Sequence, residues 1–130
     1  MDTTCKYSVG QIIHHLRFDY RGVIVDVDAT FQGTEEWYQE MAKSKPPKEN
    51  PWYHVLVDQS FTMTYVAERN LEADPSPKPI NHPLVDQYFS RFEKGSYQVE
   101  VSLALSSLIQ KLFSVMQTFG KVVFYFLNPQ

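Results

Sequence analysis

The chain of 130 residues contains a single cysteine, Cys5, so no disulfide can form within it. Chains without a disulfide framework are typical of reducing compartments, and we expect an intracellular protein, in the cytoplasm or the nucleus. The first residues lack the basic and apolar stretches of a signal peptide, which favours the same location. The five glycines are dispersed along the chain, so a glycine-rich phosphate loop is excluded.

Patterns for metal binding and catalysis are also scarce. The four histidines match no spacing of a zinc module; they are His14, His15, His54 and His82. Asp26 and Asp28 lie two residues apart on a predicted strand, so their carboxylates share a face and could serve acid–base or metal chemistry. Such pairs more often mark a solvated strand or the start of a turn. An enzyme would need both carboxylates and a histidine to converge in a cleft, so we expect no metal, no cofactor and no catalysis.

Charge is distributed unevenly along the chain. Residues 1–95 hold 10 basic and 14 acidic residues, a net charge of −4, whereas residues 96–130 hold two basic and one acidic, a net charge of +1. The total of −3 argues against a polycation that binds nucleic acid by charge alone, and leaves room for a local basic patch. The change in composition near Gly95 predicts a domain over residues 5–97 followed by an apolar tail over residues 98–130.

Short runs of β-branched and aromatic residues predict a mainly β fold. Four strands are predicted, over residues 7–16, 23–28, 52–58 and 61–67. Short helices are predicted over residues 34–41 and 82–92, while the prolines within residues 68–83 exclude a helix or a central strand there. The first two strands form a hairpin. This spacing indicates a small, partly open, SH3-like β-barrel.

The tail has a helical pattern of its own. Six apolar residues recur at spacings of three and four, and they are candidates for a protein interface: Leu105, Leu108, Ile109, Leu112, Phe113 and Met116. They predict an extra C-terminal amphipathic helix at about residues 102–119, followed by an apolar, strand-like run over residues 121–127. Serine, glutamine and lysine line its other side, so we expect no membrane insertion. The helix would pack on the barrel or on another subunit, and in the second case the protein is a homo-oligomer. A further alternative is that the tail is not native to the domain.

Basic and aromatic residues alternate in two places, around the first turn and before the third strand. These residues are the candidates for contact with DNA: Arg17, Tyr20, Arg21, Lys43, Lys45, Lys48, Trp52 and Tyr53. Cationic side chains neutralise phosphates, and aromatic rings stack on bases or contact a methyl group. The alternative is that the aromatic residues form the core and the lysines a solvated loop, and residue type alone favours it.

Five ordered blocks carry a resemblance to a known family. They are residues 7–15 (YSVGQIIHH), 20–28 (YRGVIVDVD), 51–57 (PWYHVLV), 64–71 (TYVAERNL) and 80–89 (INHPLVDQYF). Together they resemble the YccV-like, or hemimethylated-DNA-binding, domain, the family of the bacterial heat shock protein HspQ. The last block resembles the form of this domain that is carried by a eukaryotic F-box protein. The resemblance covers roughly residues 5–97, and it implies an SH3-like barrel and a binding module.

Two functions follow from the resemblance. The first is binding of DNA, hemimethylated in the family's description, with an affinity that the net charge of −4 over residues 1–95 keeps modest. The second is a role as a protein-interaction adaptor in regulated proteolysis, as a protease specificity factor or a ubiquitin-ligase-associated module. The apolar stripe of the tail would then be the interface.

Overall fold

The computed structural model describes residues 4–76, 78–99 and 108–111. Among these residues seven strands form two antiparallel sheets, so the predicted mainly β fold is confirmed. The strands are β1 (Ile12–His15), β2 (Arg21–Asp28), β3 (Trp52–Val57), β4 (Met63–Ala67), β5 (Leu71–Ala73), β6 (Arg91–Glu93) and β7 (Ser96–Gln98). The helical segments between them are α1 (Glu35–Met41), a 3₁₀ helix (Glu68–Asn70) and α2 (Val85–Tyr88).

The larger sheet has the strand order β4-β3-β2-β1-β5 and stays open, with β4 and β5 at its edges. The predicted hairpin of β1 and β2 is confirmed, with Ile13 opposite Gly22. A β-bulge interrupts the pairing of β2 with β3 between Ile24 and Asp26. A bulge bends the strand that carries it and sharpens its local twist.

The core contains a large aromatic cluster that fastens α1 to β3 and β4. Its rings belong to Phe31, Trp37, Tyr38, Trp52 and Tyr65. Thr34 caps α1, since its hydroxyl accepts the backbone N–H of Trp37 at 3.1 Å. This cap and the buried face of the helix explain why residues 35–41 are helical, as the sequence predicts.

The first strand begins at Ile12, later than predicted, because Gly10 has a backbone conformation that a strand does not allow. The φ of Gly10, +92°, lies in the left-handed region, and a Cβ there would meet the carbonyl oxygen of Tyr97 at 2.2 Å. The backbones of Gly10 and Tyr97 are joined by a hydrogen bond of 2.8 Å. The prediction of a strand over residues 7–16 is therefore wrong in its first half, because this part of the chain meets β7 instead.

Two other predictions of secondary structure are wrong at their boundaries. The helix expected over residues 82–92 covers only Val85–Tyr88, since Phe89 is extended and residues 91–93 form β6 with β7 as its partner. Residues 68–70 form a 3₁₀ turn and residues 71–73 an edge strand in the stretch from which a helix was excluded. Both lie before Pro75, so the conformation that proline imposes does not reach them.

The tail is described at residues 98 and 99, where Gln98 ends β7, and at residues 108–111, which are helical. Leu108 and Ile109 are 57% exposed, and Lys111 contacts Asp26 through a salt bridge of 3.0 Å. The rest of the predicted helix, the strand-like run, and the candidates Leu105, Leu112, Phe113 and Met116 lie outside the described residues. Among the described residues, no helix has both the length and the apolar character needed to cross a membrane.

Candidate nucleic-acid interface

The turn between β1 and β2 is held from beneath by a buried histidine. His15 has no exposed surface, and its Nδ1 accepts the backbone N–H groups of both Arg17 and Phe18 at 3.1 Å. The carbonyl of His15 also accepts the N–H of Asp19 at 2.9 Å. These bonds fix the backbone of the turn while Leu16, Arg17 and Phe18 remain exposed.

The neighbouring histidine fastens the same turn from outside. His14 is hydrogen-bonded through Nε2 to Asp19 at 2.6 Å and through Nδ1 to Glu72 at 2.8 Å. The hydrogen bond to Asp19 is the main cause that raises the pKa of His14 above its ordinary value. When protonated, His14 offsets the negative charge that Asp19 would otherwise place beside Arg17.

Burial lowers the pKa of the His15 imidazole to about 4, with a smaller contribution from the charge of Arg17. Because Nδ1 accepts two N–H groups, the ring is neutral and carries its proton on Nε2. That Nε2 has no hydrogen-bond partner among the described residues. Protonation of Nδ1 would break both bonds to the turn, so the turn depends on a neutral His15.

We expect the protein to lose stability as pH falls from 6.5 toward 4. In this range the unfolded chain takes up a proton on His15 that the folded chain does not, so folding is most favoured above pH 6.5. A change in pKa from 6.5 to about 4 corresponds to about 3 kcal/mol. Urea unfolding at pH 7.5, 6 and 5 should show about 2 kcal/mol of this loss by pH 5, since the rest falls at lower pH.

His15→Asn is the matched control for this pH dependence, since the asparagine amide does not titrate while its oxygen can accept hydrogen bonds. The variant should show a flatter profile. It should not be fully flat, because burial also lowers the pKa of His82. His14 acts in the opposite direction, since its raised pKa gives stability that is present below pH 6.5 and lost at higher pH. A variant profile as steep as that of the wild type would contradict the assignment to His15.

Hydrogen bonds join this turn to two other segments. The N–H of Leu16 donates to the carbonyl of Asn70 at 2.8 Å, which attaches the turn to the 3₁₀ helix. Arg69 donates through Nη2 to the carbonyl of Ser44 at 2.6 Å, and the Asn70 amide lies 3.5 Å from the Ser44 hydroxyl. The turn, the 3₁₀ helix and the loop that begins at Lys43 therefore form one continuous edge.

We call this surface the cationic edge and define it by four exposed side chains: Arg17, Lys43, Lys45 and Arg69. Lys45 is fixed there because its ammonium donates to the carbonyls of Tyr38 and Gln39, at the end of α1. A lysine at this place also complements the negative end of the helix dipole. The cationic edge thus contains three of the cations that the sequence predicts as DNA contacts, Arg17, Lys43 and Lys45. It also contains Arg69, which the sequence does not single out.

Carboxylates next to the cationic edge are occupied by donors of the protein. Glu68 accepts the hydroxyl of Tyr53 at 2.6 Å and the backbone N–H of Lys6 at 3.0 Å. Asp19 is bonded to His14, as described above. These bonds moderate the repulsion that a phosphate would meet at this edge.

Two other predicted cations are neutralised elsewhere. The guanidinium of Arg21 contacts Asp74 at 2.5 Å and Asp58 at 3.1 Å. Lys48 forms a salt bridge with Glu35, and its ammonium lies 4.3 Å from the centroid of the Tyr38 ring. Their charges are used in local ion pairs, so the cationic edge does not include them.

The three predicted aromatic contacts belong mainly to the core. Trp52 and Tyr53 have no exposed surface, and the indole N–H of Trp52 donates to the carbonyl of Pro47. Tyr20 is partly buried against the core, and its hydroxyl is hydrogen-bonded to that of Thr64 at 2.7 Å. Burial raises the pKa of Tyr20 to about 12. In this conformation Trp52 and Tyr53 offer no surface to a base.

A separate cluster forms beside the bulge of β2. Oxygen or nitrogen atoms of Asp26, Asp28 and His54 lie within 4.8 Å of one another, a set that could ligate a divalent cation. Asp28 is hydrogen-bonded to His54 at 3.0 Å and to the Tyr65 hydroxyl at 2.7 Å, and Asp26 is paired with Lys111. The two carboxylates and a histidine do converge, yet their atoms already bind protein groups.

An open cleft of about 460 Å³ lies at a different place from this cluster. Arg21, Asp58 and Lys78 line it, together with Phe61, whose side chain is 84% exposed. Asp26, Asp28 and His54 are not among the residues that line this cleft. The cluster and this cleft are therefore separate features of the described residues.

The family model of the "Hemimethylated DNA-binding protein YccV like" proteins matches residues 5–96. The chain belongs to the YccV-like family. All four side chains of the cationic edge lie within the matched residues. The family resemblance predicted from the sequence is thereby confirmed.

Several curated proteins that contain a similar segment are named F-box only protein 21. Those of Homo sapiens and Pongo abelii are 38% identical to this chain over 93 residues, and that of Mus musculus is 37% identical. The match covers 70% of this chain but 15% of each relative. The YccV-like region is thus a small part of those longer proteins.

Proposed function

We propose that this YccV-like chain is a non-enzymatic module that binds duplex DNA through the cationic edge, with modest affinity and a preference for hemimethylated sites. The observation that carries the proposal is the hydrogen-bonded continuity of the turn, the 3₁₀ helix and the Lys43 loop. It brings four cations from distant parts of an acidic chain to one exposed place. The description of the family supports DNA as the ligand.

The cations of the edge would contact phosphates, and this part of the binding carries no sequence information. With at most four such contacts the affinity stays modest and falls as salt rises. Discrimination of a methylated strand needs an apolar contact in the major groove, where methyl groups project. Leu16, half exposed beside Arg17, is the side chain of the edge that we assign to this contact.

The proposal is tested by titration with three duplexes of one sequence. In these duplexes neither strand, one strand or both strands are methylated. The methyl group is placed on adenine N6 in one set and on cytosine C5 in another. Fluorescence anisotropy should show dissociation constants in the micromolar range, as expected when phosphate contacts dominate, with the hemimethylated duplex of one set bound most tightly. Equal affinity for the three duplexes within each set would refute the preference for hemimethylated sites. The lack of any binding would refute the proposed function.

A second candidate function is that of a protein-interaction adaptor in regulated proteolysis. It is supported by the F-box name of the relatives and by the exposed Leu108 and Ile109, which belong to the predicted apolar stripe. We propose a boundary near residue 97 and a tail that presents this stripe to a protein partner or a second copy of the chain. If none of the duplexes binds, this is the function that the features of the chain support.

A further inference from the structure

Three aromatic rings form a row beneath the cationic edge. The imidazole of His15 lies 4.9 Å from the ring of Phe18, at an interplanar angle of 28°, and 4.9 Å from the ring of Tyr20, at 33°. His15 is fully buried and Tyr20 partly buried, whereas Phe18 is 47% exposed. The row therefore begins in the core and ends in solvent at Phe18.

The position of Phe18 is fixed before any ligand arrives. Its backbone N–H is bonded to His15, and its ring stacks on the same imidazole. A preformed side chain loses little conformational freedom on binding, which favours affinity. Phe18 thus exposes apolar surface to water, which is unfavourable for stability. This exposure is not caused by disorder, because the turn that carries Phe18 is held by hydrogen bonds.

The charge beside Phe18 indicates which ligand fits. The guanidinium of Arg17, on the turn that carries the edge, lies over the Phe18 ring, 5.8 Å from its centroid. A flat, apolar ring with an exposed cation over it matches a nucleotide: the base would take the place of the guanidinium on the ring, and the guanidinium would contact the phosphate. An apolar pocket of a protein would instead bury the guanidinium at a cost in desolvation.

We propose that Phe18 is a stacking platform for an unpaired nucleobase and that Arg17 contacts the phosphate of the same nucleotide. The inference rests on the proposed binding of DNA. Paired bases show only their edges in the grooves, so a base must be unpaired or extruded before its face can stack on a side chain. The base would add a fourth ring to the row formed by Tyr20, His15 and Phe18.

The test uses two duplexes that carry 2-aminopurine, one with the fluorescent base paired and one with it as a single-base bulge. The wild type should bind the bulged duplex about tenfold more tightly and quench its fluorescence, since stacking of a base on an aromatic side chain contributes a factor of this order. Phe18→Ala should lose both the preference and the quenching, while its affinity for the paired duplex stays within about twofold. Phe18→Tyr should keep the preference and the quenching.

Phe61→Ala is the matched control, because it removes an exposed phenylalanine from a place outside the ring row. It should behave as the wild type. Equal affinity of the wild type for both duplexes, without quenching, would overturn the platform and leave DNA binding intact. A preference that survives Phe18→Ala would also overturn it. Failure to bind either duplex would refute the proposed function itself.

Discussion

Replacement of Trp52 by alanine should lower the free energy of unfolding by about 3–5 kcal/mol. The indole is fully buried, and its ring centroid lies 4.8 Å from that of Phe31 and 5.2 Å from that of Tyr65. Its N–H also holds the carbonyl of Pro47, so the substitution leaves a cavity and an unpaired carbonyl. Urea unfolding followed by near-ultraviolet circular dichroism measures the loss.

Trp52→Phe separates a role in the core from a role in DNA contact. Phenylalanine keeps most of the packing, and we expect a smaller loss of stability, of about 1–3 kcal/mol, with an unchanged affinity for DNA. A Trp52→Ala protein as stable as the wild type that no longer binds DNA would contradict the assignment of Trp52 to the core. It would instead restore this residue as a base contact.

Reversal of charge at the cationic edge should have the largest effect on binding. The double variant Arg17→Glu, Lys43→Glu removes two phosphate contacts and adds repulsion, so we expect its affinity for duplex DNA to fall by about tenfold to a hundredfold. Both side chains are exposed, so the fold should persist, which far-ultraviolet circular dichroism checks. Fluorescence anisotropy measures the affinity.

The double variant Lys78→Glu, Lys94→Glu is the matched control for the edge. It changes the net charge by the same amount at two exposed lysines outside the edge. Its affinity should fall by no more than about threefold, the effect of a more negative protein as a whole. Equal losses in the two double variants would show that net charge, and not the edge, governs binding.

The strands and the first helix are predictable from the sequence because the interactions that form them join residues close together in the chain. Thr34 caps α1 through the third residue after it, and the β-branched run of β2 pairs with its sequence neighbour β1. The helix predicted over residues 82–92 stops at Tyr88 because pairing with β7 overrides the helical spacing of the apolar residues that follow. Phe89 is buried from extended backbone, and β7 then pairs with the residues that follow.

The candidate site was only partly predictable for a different reason. Arg17 and Lys43 are 26 positions apart in the sequence, and they reach one edge only because Asn70 and Arg69 bond to the neighbours of both. Such long-range hydrogen bonds leave no local pattern. Phe18 was missed because a turn between strands gives no sign of which side chains it exposes.

The aromatic candidates show the limit of residue type as evidence. Trp52 and Tyr53 have the chemistry of base contacts, and the same chemistry makes them suitable for a small core. Only burial separates these two uses, and it places both side chains inside. The carboxylates that neutralise Arg21 come from Asp58 and Asp74, and the sequence gives no reason to pair them with it.

The salt dependence of DNA binding tests the role of the cationic edge most directly. The logarithm of the affinity, plotted against the logarithm of the salt concentration between 50 and 200 mM, should have a slope of about −3 to −4 for the wild type, as expected for four phosphate contacts. The slope should be smaller in magnitude by about two units for Arg17→Glu, Lys43→Glu. A slope near zero for the wild type, or an identical slope in the variant, would contradict binding through this edge.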